Sequence, residues 1–448
     1  MIESDVIASL PKVELHDHLD GGLRPSTIVE LAAEIGYELP TTDPDELEKW
    51  FYDAANSGDL PTYLTTFDHT TAVMQTKESL VRVTREAIED LAADNVVYAE
   101  LRYAPEQHQA NSLSLQEIVE ATVQGAKEGE RSVASKGKRI HARLILCAMR
   151  HADRAKEIAQ LTIDNYPIAS PGEGYVVGFD IAGAEDGFPA ANHAEAFALL
   201  RENLVPFTIH AGEAAGVESI HDALAQGATR LGHGVRVYED FEATLSGIEL
   251  GQVARFVRDR GVPLEICPTS NTQTGIADII ANHPFNLLYD MGFVCTINTD
   301  NRLVSGTTMT REFEVLAENF DLDYWQILEM TTNALDAAFC DAGLRAELER
   351  TVIYPAFAEL GARMDTGVDS AQDATGGVSA GLSGLHADHG HSHPHGGIGA
   401  GDLGEDATLE LSMENLKAEL EELGLSLDDD DASDGQEETP GDSAEGEK

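Results

Sequence analysis

Short runs of apolar and β-branched residues recur along the chain: KVELHDH (12–18), NVVYAELRYAP (95–105), RIHARLILCAMR (139–150), YVVGFDIAGAE (175–185), VPFTIHAGE (205–213), ATRLGHG (228–234), VPLEICPTSN (262–271) and GFVCTINTD (292–300). Each has the length and composition of a buried strand. Between most of them lie stretches such as ESLVRVTREAIEDLAAD (78–94), SLQEIVEATVQGAKEGE (114–130) and HAEAFALLRENL (193–204), whose apolar residues fall three and four apart, as on one face of a helix. Strands alternating with helices predict a parallel sheet. The strands are polar at one end only. Their C-terminal ends carry His16 and His18, then Arg102, Arg150, Asp180, His210 with Glu213, His233, Ser270 with Asn271, and Asp300, while their beginnings are apolar. Eight strands with chemistry gathered at the C-terminal face predict an α/β fold of the (β/α)8 TIM-barrel kind. A doubly wound open sheet is the alternative, but no Gly-x-Gly-x-x-Gly follows the first strand. Residues 41–77 exceed what a barrel helix needs and are expected to form helical decoration over the mouth.

After about Met364 the pattern stops. Residues 365–448 are rich in Gly, Ser and acid, whereas 1–364 are expected to form the barrel domain. From 366 onward there are 21 acidic residues, 2 lysines and no aromatic side chain, a composition that predicts a largely disordered acidic tail. Within it, Leu409, Met413, Leu416, Leu420 and Leu423 follow a 4-3-4-3 spacing, so an amphipathic helix is expected at 405–425. HADHGHSHPHGG, with His386, His389, His391, His393 and His395 among glycines, is expected to be solvated low-complexity sequence.

The whole chain has 80 acidic and 29 basic side chains, a formal charge of -51, which repels nucleic-acid phosphates and anionic membrane surfaces. No apolar run reaches membrane-spanning length and the N-terminus lacks a signal-peptide pattern, so a cytoplasmic protein is expected. Cys147, Cys267, Cys295 and Cys340 are scattered, as free buried thiols are.

His16 and His18 stand two apart on a strand and so face the same way, with Asp17 turned to the opposite side. Alone, such a pair equally suits two hydrogen-bonded buried histidines. His210 and Asp300, at the ends of the fifth and eighth strands, add an imidazole and a carboxylate. Three nitrogens and one oxygen suit Zn²⁺ with a position left for water, and bound water then loses several pKa units. Glu213, three residues past His210, is placed to pass a proton. His233 between glycines is placed to orient the water or to deprotonate it.

VELHDHLDGG, DIAGAE, HAGE, LGHG and NTDN, in this order, closely resemble the adenosine and AMP deaminase family of metal-dependent amidohydrolases, from about residue 10 to about 345. The resemblance implies the barrel, one Zn²⁺ held by His16, His18, His210 and Asp300, and hydrolytic deamination of a purine nucleoside. It gives Glu213 the protonation of purine N1 and His233 the water and the tetrahedral intermediate. It places the Gly183 N–H on purine N3, Asp20 on the ribose 5′-hydroxyl and His18 against the nucleoside. At Asn301 most of the family carries aspartate, which must hold a proton to donate to N7. An asparagine amide donates without one. The rivals are an adenine deaminase, which would leave Asp20 less to do, and a non-catalytic zinc- or nucleoside-binding barrel, which would not need both Glu213 and His233. An AMP deaminase would need a basic cluster at the mouth. The zinc site of cytidine deaminases needs an H-x-E and P-C-x-x-C pair that this chain lacks.

Overall fold

The computed structural model describes residues 2–56, 60–167 and 174–365. The helix expected at 405–425 and the histidine cluster at 386–395 lie outside these residues.

Eight parallel strands close into a barrel: β1 (Lys12–His18), β2 (Val96–Tyr103), β3 (His141–Met149), β4 (Val176–Ala182), β5 (Thr208–Ala211), β6 (Arg230–His233), β7 (Leu264–Ile266) and β8 (Cys295–Ile297). They pair in the orders β1-β2-β3-β4 and β5-β6-β7-β8. Two parallel bridges, Phe179 with Phe207 and Asp17 with Asp300, join these halves. At the second seam the His18 N–H donates to the Asp300 carbonyl and the Asp300 N–H to the His16 carbonyl, each at 2.7 Å. The bonds that close the barrel are therefore made by the backbone of three site candidates.

Long amphipathic helices cover the strands, and their starts are written locally. Thr76 and Ser79 form a reciprocal capping box that opens helix Lys77–Ala93, and Ser114 with Glu117 opens Leu115–Ser135 in the same way. The buried faces of these helices, including Leu80, Val83, Ile118 and Val133, pack into one continuous apolar core. In the stretch expected to decorate the mouth, helices Pro44–Ala55 and Leu60–Val73 bring Ala55, Phe67 and Thr71 to the wall of the central cavity.

Three local expectations are corrected. The run 262–271 is not one strand: β7 ends at Ile266, and Pro268–Gln273 is a short helix opened by Pro268, as its fixed φ favours. Ser270 and Asn271 are therefore held by a helical turn. A hairpin, Phe241–Thr244 with Gly247–Leu250, stands outside the barrel where no strand was expected. Cys340 is only half-buried, whereas Cys147, Cys267 and Cys295 are buried, and all four are free thiols. Among the described residues no helix is long and apolar enough to cross a membrane.

Candidate active site

At the C-terminal end of the barrel lies a cavity of about 720 Å³, within the range of small-molecule sites. His18, Asp20, Gly183, His210, Glu213, His233, Asp300 and Asn301 all line it. His16 lies beneath, fully buried. The strand alternation expected for Asp17 holds: its carboxylate faces away and receives the Arg302 Nε–H at 2.8 Å.

Four donor atoms, from His16, His18, His210 and Asp300, all lie within 4.8 Å of one another. Asp300 Oδ1 is 3.4 Å from both His16 Nε2 and His18 Nε2, and the Nε2 atoms of His18 and His210 are 3.2 Å apart. His16 Nε2 is buried and has no hydrogen-bond partner. A buried nitrogen without a partner is costly unless something binds there. The far sides of two rings explain their orientation: His16 Nδ1 is 2.8 Å from Glu265 Oε2, and His210 Nδ1 is 2.8 Å from Asp180 Oδ2. A carboxylate on Nδ1 keeps the proton there and turns the Nε2 lone pair inward, the arrangement of metal-ligating histidines. Burial, with Arg102 and His210 nearby, holds the His16 imidazole down at about 4, so it is neutral and able to ligate. Burial pushes His18 well down too. For Asp300, burial favours the protonated acid, but the histidines around it win and hold it well below the usual carboxylate range. These four residues are able to hold one cation.

Arg102 ties the two supporting carboxylates together. Its guanidinium reaches Asp180 Oδ2 and Glu265 Oε2, each at 2.8 Å and both fully buried. Arg230 pairs with Glu265 and Glu100 in the layer beneath. The charges alternate from the barrel floor to the site, so none is left uncompensated in a low dielectric.

Glu213 follows β5 on a loop whose backbone is gripped by Glu185. One Glu185 oxygen accepts the Gly212 N–H at 2.7 Å. The other accepts those of Glu213, Ala214 and Ala215 at 3.1, 2.7 and 2.9 Å. His233 Nε2 stands 3.6 Å from Glu213 Oε2 across the cavity. His233 and Asp300 both have left-handed backbones, with φ of 61° and 60°. Such geometry is uncommon for residues with a Cβ and is held here by the surrounding structure. Gly183, with φ of 97°, is where glycine is needed. Burial raises the Asp20 carboxyl to about 6. Gly21 packs so tightly on Asn301 that a Cβ there would lie 2.1 Å from the Asn301 side-chain oxygen.

The structure brings every site residue expected from the sequence to one place. Glu265 and Glu185, which hold these residues in position, and His283, a buried imidazole beside Asn271, were not expected. Glu185 sits inside the quoted DIAGAE, and a glutamate two residues past a strand-end glycine was its signal. Glu265 showed only as a charge inside an apolar strand. His283 had no local signal at all.

The model of the adenosine deaminase family matches residues 11–355. Adenosine deaminase 1 of Streptomyces coelicolor is 52% identical over 359 residues, covering 80% of this chain and 89% of that protein. The adenosine deaminase of Mycobacterium ulcerans is 50% identical over 359 residues, with 80% and 98% covered. Among solved structures, the ADAL–IMP complex is similar at a TM-score of 0.67 and 27% identity, covering 80% of this chain and all of that one. An adenine deaminase from Arthrobacter aurescens, at a TM-score of 0.66 and 24% identity over 79% of this chain and 100% of its own, shares the fold. A family model that spans most of the chain, together with relatives half identical to it, decides the matter: the chain belongs to the adenosine deaminase family.

Proposed function

We propose that this chain carries out the zinc-dependent hydrolytic deamination of adenosine, and of 2′-deoxyadenosine, to inosine or deoxyinosine and ammonia, as a cytoplasmic enzyme of purine salvage. Residues 1–364 form its catalytic domain and 365–448 a tail. The observation that carries the proposal is the convergence of His16, His18, His210 and Asp300 in a nucleoside-sized cavity with Glu213 and His233 on its wall. Three imidazole nitrogens and one carboxylate oxygen, with no thiolate in the set, suit zinc in an open site. His16, His18, His210 and Asp300 would hold that ion, which when bound would make a water molecule acidic enough to act near neutral pH.

The chain's own groups supply the rest. As a water oxygen bonds to C6 of the purine, Glu213 gives a proton to N1, which becomes basic when the ring loses its aromaticity, and the Glu213 carboxylate takes up the proton that the water gives up. His233 steadies the oxygen that has added. The proton of the added hydroxyl then passes to N6, and breaking the C6–N6 bond releases ammonia and restores the ring with a carbonyl at C6. The Gly183 N–H holds N3, the Asn301 amide holds N7, and Asp20 with His18 holds the ribose side. The relatives named adenosine deaminase support this substrate.

Against an AMP-like substrate, the described residues lining the cavity include several carboxylates and no lysine or arginine. A phosphate would lack a partner there. The test is ammonia release from adenosine, deoxyadenosine, adenine and AMP, with metal analysis on the same sample. The nucleosides should be turned over, and Glu213→Gln should abolish turnover with zinc retained. Full activity in that variant, or adenine as the preferred substrate, would overturn the proposal.

A further inference from the structure

Beside the cavity, a chain of polar side chains runs from a backbone amide to His233. The Phe285 N–H donates to His283 Nδ1 at 3.0 Å. A backbone amide is only ever a donor, so Nδ1 of His283 is an acceptor and the proton of its neutral ring sits on Nε2. Burial pushes the His283 imidazole down to about 3, so the ring is neutral. Nε2 of His283 lies 3.2 Å from Asn271 Oδ1, and the Cys267 N–H reaches the same oxygen at 3.3 Å. Two donors on one atom of the amide fix which end is oxygen. The Asn271 NH₂ must then be the group 3.1 Å from His233 Nδ1. Since that nitrogen receives a hydrogen bond, it carries no proton. Asn271 is fully buried, and His233 is 1% exposed, so no bulk water competes for these contacts.

We infer that Asn271 and His283 are positioning residues that keep the proton of His233 on Nε2, so that His233 faces the cavity as a hydrogen-bond donor and not as the base that deprotonates water. A base at Nε2 would need its proton on Nδ1, where it would meet the N–H of Asn271 head-on. The Nε2 proton points instead into the cavity, toward the Glu213 carboxyl 3.6 Å away and the oxygen that adds to the substrate. A donor in that place stabilises a developing oxyanion. This inference rests on the deaminase reading and chooses between the two roles open to His233. The relay depends on the turn after β7: the short helix Pro268–Gln273 carries Asn271, and the segment beyond it carries His283 back against that side chain.

The test uses the full-length holoenzyme labelled with ¹⁵N-histidine, with the His233 signals identified by their loss in His233→Ala. The expected spectrum shows Nδ1 of His233 as a pyridine-type nitrogen and Nε2 as the protonated, pyrrole-type one. The reverse assignment overturns the inference, and this measurement needs no variant of the relay to fold. In Asn271→Asp a carboxylate faces Nδ1 and draws the proton there. The signature should invert and kcat fall about 100-fold or more, as when a catalytic histidine is held in the wrong tautomer, with KM changed by less than about threefold. An inverted signature with unchanged kcat overturns the donor role. His283→Gln keeps an N–H donor and should retain kcat within about threefold, while His283→Phe should lose about tenfold; equal losses in both would reduce His283 to packing. Failure of the deaminase reading shows separately, as unmodified protein that releases no ammonia from adenosine whatever the spectrum.

Discussion

Glu185 is the side chain on which the loop bearing Glu213 most depends, and replacing it with alanine is the sharpest test of how that loop is held. Its carboxylate accepts from four successive backbone N–H groups, at 2.7 to 3.1 Å, and from the Ser219 hydroxyl. Each hydrogen bond to a charged group contributes about 1.5–3 kcal/mol, so five would sum to about 7–15 kcal/mol if nothing replaced them. The loop borders the cavity, and water entering the space left by the side chain would satisfy most of the freed donors. A net loss of about 3 kcal/mol is therefore expected for Glu185→Ala, with Glu185→Gln between it and the native protein. Catalysis should suffer more than binding, since a shift of about 1 Å in a reacting group can cost about 100-fold in rate. The sign of the pH dependence follows from the same contacts. Burial favours the protonated acid, but Ser219, the backbone amides and Arg150 outweigh it and hold the carboxyl below its ordinary value. Its stabilisation is present above the unfolded-state value and is lost as pH falls through the lower folded one. Urea unfolding at neutral and acid pH, with kcat and KM for adenosine, measures both effects. An alanine variant with an unchanged urea midpoint and kcat within about twofold would refute the reasoning.

Glu312, buried beneath the Pro268–Gln273 turn where it accepts from the Thr269 N–H and the Thr307 hydroxyl, has its carboxyl raised by burial to about 7. Because the folded state keeps this proton longer than the unfolded chain, stability should fall by about 2 kcal/mol between pH 5.5 and 8. In Glu312→Gln that part of the slope should vanish, which urea midpoints at the two pH values would reveal. Gly21→Ala should push the Asn301 side chain aside and raise KM for adenosine with metal content unchanged, since the new methyl group takes the place of the Asn301 side-chain oxygen; a steady-state assay beside metal analysis checks it, and an unchanged KM counts against a substrate contact at Asn301. Deleting residues 366–448 should leave activity intact in zinc-replete buffer, and a folded but inactive truncation would show that the tail takes part.

Much of this molecule can be read from its residues in order. Strand positions follow from the apolar runs because a strand buried on both faces admits few polar side chains. Helix bodies at 78–94 and 114–130 follow from apolar residues three and four apart, while the caps at Thr76 and Ser114 that set their starts were seen in the structure. The site candidates were legible because the C-terminal ends of barrel strands lie together whatever their separation in the chain, so polar strand ends from His16 to Asp300 could be assigned to one place. What no local pattern contains is the partner of each partner. The Nδ1 atom of His16 is hydrogen-bonded to Glu265 and that of His210 lies in ion-pair contact with Asp180, from strands 249 and 30 residues away, and Arg102 joins those two carboxylates from a third strand. The proton on His233 is assigned through Asn271 to an imidazole 12 residues further on, across a turn that reads as a continuing strand until it is seen to be helical. Hydropathy records whether a side chain is buried; which atom it meets there depends on closure of the barrel and on the directions of hydrogen bonds, and only the tertiary structure sets those.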